Sequence, residues 1–456
     1  MCSKKVSLTV IYVIIYTLFP MKRFCFLLFL LNSLLTIAQN NGLKTEGTLS
    51  EIGFYTMNTK LDEAAIEKEL KAVFPDAIFV DESPETIDKT MIYIEAITEV
   101  EEDYPAHDME YLEYFAEGFS EAQKSNLSDS KNAFIIVLYY ENKNVFTHTK
   151  KLFDWVYKKV KNTDFVVYDG EVREYFLPEI WKRDRVDAWE NGIPNAMRQL
   201  TLHSYREYEY CRSITFGMQR FGLPDFVISN SPCSNVTSAS QLLTIIGQLL
   251  LEGKQIEKNS LEVDLDAIEN SEFKKVIPGI VYENASKKAT INFNTSVPLE
   301  EGDPLNIIYQ VNFKNKNYEN TQVYESEVYK KIFGLEDAVT YISHNEEIMA
   351  ASLRAKAKLP ELKILFNDGL DQATLLLKAP FTTDDGGNEW MWIEVTRWVS
   401  LEIVGILQND PYHIKGLKSG AKVTVQQEDI FDYILYKADG TQEGNETGKL
   451  IEKYGN

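Results

Sequence analysis

Acidic residues are missing from the first 45 positions of this 456-residue chain: the first is Glu46, while Lys4, Lys5, Lys22 and Arg23 precede it. Histidine and cysteine are scarce throughout, with five and four residues. The few histidines lie at positions 107, 148, 203, 344 and 413, without the helical spacing of a metal-binding pair, so no zinc signature is present. Glycine-rich phosphate loops and the nucleophile elbow of serine hydrolases are also missing, which removes the familiar nucleotide-binding and serine-hydrolase classes. Proline (14) and glycine (23) are too sparse for a collagen-like or low-complexity chain, and 44% hydrophobic residues suffice for a globular core. What abounds is negative charge, at a formal −22. Such a surface repels phosphate backbones and anionic headgroups, so neither nucleic acid nor peripheral membrane binding is expected.

The leader has a recognisable order. Met21-Lys22-Arg23 precedes the apolar run 24–31, and Ile37-Ala38-Gln39 supplies a small-residue exit, the layout of a secretory signal peptide cut near Gln39. Residues 1–20 read as an extension upstream of the true start Met21. Two short transmembrane helices are the alternative, but each apolar run falls short of the roughly 20 residues needed to span a bilayer. Cys25 lies at the start of the apolar run, the wrong place for lipid modification. The expectation is a periplasmic or secreted protein that meets the membrane only through its leader before cleavage. Only Cys211 and Cys233 then remain, 22 positions apart. In an oxidising compartment they suit a disulfide stabilising by about 3 kcal/mol if the fold brings them together. A nucleophilic cysteine beside His203 is the sharper alternative.

Alternation and helical spacing predict an α+β protein. Strand 52–57, helix 61–74, strands 77–80 and 91–97, helix 109–122 and strand 134–140 give the order β-α-β-β-α-β of a ferredoxin-like sandwich. Helix 145–161 and strand 165–168 extend it. Strands at 200–203, 212–216 and 224–228, a helix at 240–251, a polar loop at 254–262 and a hairpin of 290–297 with 305–313 complete an N-terminal module over 40–330, open to division into two subdomains. A helix over 345–367, ended or kinked by Pro360, then leads five short strands between 373 and 436. These predict a small bent antiparallel sheet or partly open barrel over 340–456.

Within this last segment, Leu377 to Phe381, the run Asn388-Glu389-Trp390-Met391-Trp392-Ile393-Glu394-Val395, the Gln408-Asn409-Asp410-Pro411 turn, Asp429 to Tyr433 and Gly444-Asn445-Glu446-Thr447-Gly448 resemble the bacterial YegJ-like domain, domain of unknown function 2314. The resemblance brings no enzymatic activity with it. The stretch marked by Val167-Tyr168-Asp169-Gly170, Arg173-Glu174-Tyr175-Phe176, His203-Ser204-Tyr205 and Arg212 to Met218 is similar to the N-terminal portion of larger proteins carrying that domain.

Two polar constellations offer chemistry. Asp169, Glu174, His203 and Arg212, with Arg173, Tyr205, Thr215 and Asp225 nearby in sequence, suit proton transfer by an oriented imidazole beside an anion-holding guanidinium. The plainer alternative is an ion-pair network that fixes strand register. On the C-terminal strand, period two puts Trp390 and Trp392 on one face, either as a binding surface rimmed by Asn409, Asp410 and Asp432 or as core with Trp398 packed nearby. Asp384-Asp385-Gly386-Gly387 and the loop 439–445 read as polar turns rather than ion sites. No cofactor or metal is expected. Two functions follow: an envelope protein-interaction module, its acidity suited to a basic partner, or a hydrolase of an envelope substrate working around His203 and Arg212.

Overall fold

The computed structural model describes residues 47–57, 62–208, 210–295, 297–318, 320–334, 346–370, 373–384 and 386–454. The leader 1–39, Asp385 and His344 lie outside them. The fold is α+β, with three six-stranded sheets, and it divides into two compact units. The first takes the described chain up to Thr201 with Phe216–Asp225 and Pro298–Ile308; the second takes Leu202–Thr215, Phe226–Val297 and the chain from Tyr309 onward. Among the described residues no helix is long and apolar enough to cross a membrane.

In the first unit, strands β1 (Gly47–Thr56), β2 (Ile78–Val80), β3 (Met91–Ile97), β4 (Asn132–Glu141), β5 (Val166–Asp169) and β6 (Glu174–Phe176) form a sheet in the order β2-β3-β4-β1-β5-β6. The predicted succession of strands and helices is present, but the ferredoxin-like arrangement is corrected in two respects. The strand β4 separates β1 from β3, because it is apolar on both faces and pairs with β1 over ten residues, Gly47 opposite Glu141 through Thr56 opposite Asn132. Helices also cover both faces of the sheet. On one, Ile52, Phe54, Ile136 and Leu138 pack against Ile66 and Leu70 of helix α1 (Glu63–Val73) and against Leu152, Phe153 and Val156 of α4 (Val145–Val160). On the other, Tyr55, Ala133 and Val166 meet Leu112 of α2 (Met109–Phe115) and Leu127 of α3 (Glu121–Ser128). Period two along each strand produces the division. The single helix predicted over 109–122 is thus two: Gly118 takes a left-handed φ of 76°, and Ser120 opens α3 with a reciprocal capping box to Gln123.

The second unit carries the other two sheets. Strands β7 (Thr201–Glu207), β8 (Tyr210–Phe216), β9 (Asp225–Ser231), β10 (Ser260–Asp264), β11 (Lys288–Asn294) and β12 (Ile308–Val311) run in the order β10-β11-β12-β9-β8-β7. Strand β10 occupies a stretch expected as loop: its alternating Leu261 and Val263 are buried between polar neighbours. Helices α5 (Val236–Leu251), α6 (Ser271–Ile280) and α7 (Thr321–Phe333) belong to this region.

Helix α8 (Glu346–Asn367) then backs an open antiparallel sheet, with no closure into a barrel. Its strands are β13 (Thr374–Thr382), β14 (Asn388–Val399), β15 (Glu402–Leu407), β16 (Lys422–Gln426), β17 (Asp432–Tyr436) and β18 (Gln442–Gly444), in the order β16-β15-β14-β13-β17-β18. Pro360 does not end α8; the helix continues through it with the proline on the exposed side. Leu375, Leu377 and Ala379 of β13 and Met391, Ile393 and Val395 of β14 meet Ala355, Leu359 and Leu362 of α8. A register shift between Val395 and Arg397 inserts one residue into β14, so Trp398 rejoins the core face one residue out of the earlier odd-numbered pattern. A closing helix, α9 (Glu446–Tyr454), follows β18.

Candidate functional site

Strand β5 ends on Asp169, which is fully buried and held by two guanidiniums. Arg185 Nε donates to Oδ2 at 2.8 Å, Arg220 Nη1 donates to the same oxygen at 3.0 Å, and Arg220 Nη2 grips Oδ1. Burial opposes ionisation, but the two cations outweigh it and keep the carboxyl below its ordinary range. Glu171, two residues on, moves the other way: burial pushes it up to about 8, with Asp169 and Glu51 adding to the rise against Arg220. Glu174 is likewise raised by burial. Arg173 turns the β5–β6 hairpin in a left-handed conformation (φ 60°) and donates to the carbonyls of Gly302 and Asp303. Asp225 accepts from the Met218 amide and, at 2.7 Å, from Asn306 Nδ2.

His203 sits half-buried on β7, and Arg212, fully buried on β8, donates from Nη1 to Tyr205 Oη at 2.7 Å. Thr215 Oγ1 accepts the Phe226 amide. Asp169 and Glu174 therefore belong to the first unit and His203 and Arg212 to the second, so neither unit by itself holds the set of four. Among the described residues no group of three or more His, Cys, Asp or Glu is placed to hold a metal ion.

Cys211 and Cys233 form a disulfide, with Cα atoms 4.9 Å apart. The segment 231–235 that follows β9 is gripped by two buried carboxylates that the sequence reading did not single out. Glu394 of β14 accepts the amides of Cys233 and Ser234, both at 2.9 Å, ahead of α5, with Arg206 Nη2 3.9 Å away. Glu325 of α7 accepts from the Ser231 hydroxyl and from Asn235 Nδ2. Burial pushes Glu325 up to about 7 against these hydrogen bonds, and Glu394 is raised for the same reason. Glu394 had one sequence signal: it is an acid in line with Trp390 and Trp392 on a strand whose other face is core.

The C-terminal residues singled out from the sequence are tied into the fold. Met391 and Ile393, not the tryptophans, face α8. Trp390 packs on Phe431, ring centroids 4.4 Å apart, in a small cluster with Ile348 and Ile451; half-buried Trp392 has Lys378 Nζ 5.4 Å from its ring centre. Asn409 Oδ1 accepts the Trp392 amide. Asp410 accepts from Lys330 Nζ at 2.6 Å and from the Ser419 amide, which together overcome burial and hold its carboxyl low. Asp432, 1% exposed, accepts the amide and hydroxyl of Thr447 and so fixes the start of α9.

Two surfaces remain. One is a groove of about 910 Å³ between α7, β11 and the loops 312–318 and 416–418, with Tyr318, Tyr324, Lys331 and Lys418 in its lining. The other is the outer face of α8. Met349, Leu353, Ala357, Pro360 and Ile364 recur at helical spacing and are all exposed, Leu353 by 66% and Ile364 by 63%. Arg354, Lys356 and Lys363 border this stripe, against Glu361.

An open antiparallel sheet with one long helix across one face and a short helix closing its end defines a small α+β domain at the C-terminus. The family model described as an uncharacterized protein conserved in bacteria (DUF2314) matches residues 364–454, so the chain is similar to that family over this C-terminal segment. No curated protein and no solved structure matches the chain.

Proposed function

We propose that the protein is an extracytoplasmic interaction module and that the outer face of α8 docks a protein partner. The exposed stripe from Met349 to Ile364 carries this reading, since an amphipathic helix in a folded domain normally buries its apolar residues and α8 has a second apolar row beyond the one that covers the sheet. The charge around the stripe sets the partner's chemistry. Lys356 and Lys363 edge the stripe with positive charge while donating to the carbonyls of Glu428 and Ser400, and Arg354 is paired with Glu446; the two lysines fit an apolar ridge edged with carboxylates. The basic leader with its apolar run and the Cys211–Cys233 disulfide support an oxidising compartment outside the cytoplasm.

The test is native mass spectrometry of the gently purified chain and of the Leu353→Glu/Ile364→Glu double variant. Both side chains are exposed, so the variant should melt with the parent while losing its stoichiometric partner. A partner retained by the variant, or a homodimer in the parent that the variant dissolves, would each assign this face differently.

A further inference from the structure

The groove between α7, β11 and the 416–418 loop shares no residue with the α8 stripe and has a different chemistry. Its apolar lining is limited to small or recessed side chains, Ala289, Val323 and Val328. The rest is ring faces, amides, hydroxyls and amines. Tyr318 and Tyr324 stand 4.8 Å apart, inclined at 43°, and form an aromatic wall. Lys418 Nζ lies 5.8 Å from the Tyr318 ring centre and 3.1 Å from Glu327, and Lys330 is oriented by Asp410. Lys331 is exposed at the same site. Three amines line the groove; Lys418 is paired with Glu327 and Lys330 with Asp410, so the excess of one positive charge rests on Lys331, on a chain whose formal charge is −22. Local sign and global sign are opposed, and the local one governs a bound ligand at distances shorter than the screening length of about 8–10 Å.

We infer that this groove binds an acidic oligosaccharide, a chain of sugar rings carrying carboxylates. Each class of lining group has a counterpart in that ligand. The tyrosine faces stack on the C–H faces of sugar rings. The amides of Asn315 and Asn317 and the hydroxyls of Ser286 and Thr290 both donate and accept, as pairs of sugar hydroxyls require. The lysines meet the carboxylates in charge-assisted hydrogen bonds. A small apolar ligand finds few apolar side chains in this lining.

Isothermal titration calorimetry on the full chain, with tetragalacturonate as the probe, tests the assignment. Maltotetraose supplies the neutral comparison and tetraglutamate the acidic peptide. Saturable binding of tetragalacturonate is expected, with maltotetraose at least tenfold weaker. The Lys331→Ala and Tyr324→Ala variants should each lose tenfold or more, the first mainly at low salt and the second at all salt concentrations. Lys331 is exposed, so its variant stays folded even if Tyr324→Ala does not. Absence of tetragalacturonate binding, equal binding of tetraglutamate, or undiminished binding by Lys331→Ala would overturn the inference.

Discussion

Asp169 and Glu325 are both buried carboxyls, yet they affect stability in opposite directions with pH. Asp169 is held ionised by Arg185 and Arg220, so its folded pKa lies below the unfolded value. Its contribution is present above about pH 4 and is lost as pH falls through the folded pKa. Replacing it with Asn leaves two guanidiniums buried without their counter-charge. The expected loss is about 3–5 kcal/mol, seen as a lower denaturation midpoint in urea at pH 7. Glu325 is the reverse case, raised by burial from 4.5 to about 7. The stability it favours is complete below about pH 4.5 and is lost as pH rises through about 7, because the unfolded chain then releases the proton more readily. Glu325→Gln keeps an acceptor for Ser231 and Asn235 and should flatten the fall in melting temperature between pH 5 and pH 8. A parallel fall in parent and variant would show that Glu325 does not titrate in this window.

Elements with a helical period or a short continuous apolar run were legible in the sequence. α4 falls where helical spacing placed it, because a single buried face determined its composition, and β3 and β15, buried on both faces, fall where short apolar runs of strand length placed them. α7 was not legible: its buried side includes Gln322 and Glu325, which serve polar contacts and break the apolar row. The site suffered the same way. Asp432 looked like a rim residue because sequence cannot show that Thr447, fifteen positions on, begins a helix against it. Its bonds predict that Asp432→Ala removes an anchor of α9 at a cost of about 1–2 kcal/mol. Hydrogen exchange should accelerate in residues 446–454 before it does in β13 and β14. Uniform protection across these segments would place the start of α9 under some other control.

At the scale of the whole molecule, the family match begins at residue 364, inside α8, and the contacts of the sheet reach beyond it. α8 covers only one face of it, yet Leu376, Val404 and Ile406 on the other face are at most 6% exposed. Glu394 on that face depends on the amides of Cys233 and Ser234 and on Arg206, and Asp410 depends on Lys330, all of them outside residues 364–454. A fragment of residues 346–454 would therefore expose an apolar sheet face and leave both carboxylates without these partners. It should associate or aggregate at concentrations where the full chain stays soluble, and protease should cut it faster. Replacing Leu376 and Ile406 with Thr should restore solubility to the fragment, while in the full chain the same changes cost stability, since there they place hydroxyls in a buried layer. Size-exclusion chromatography with light scattering reads the first effect and a urea midpoint the second. A native fragment that is monomeric and melts with the parent would mean that the domain is self-sufficient and that its second face is covered from within.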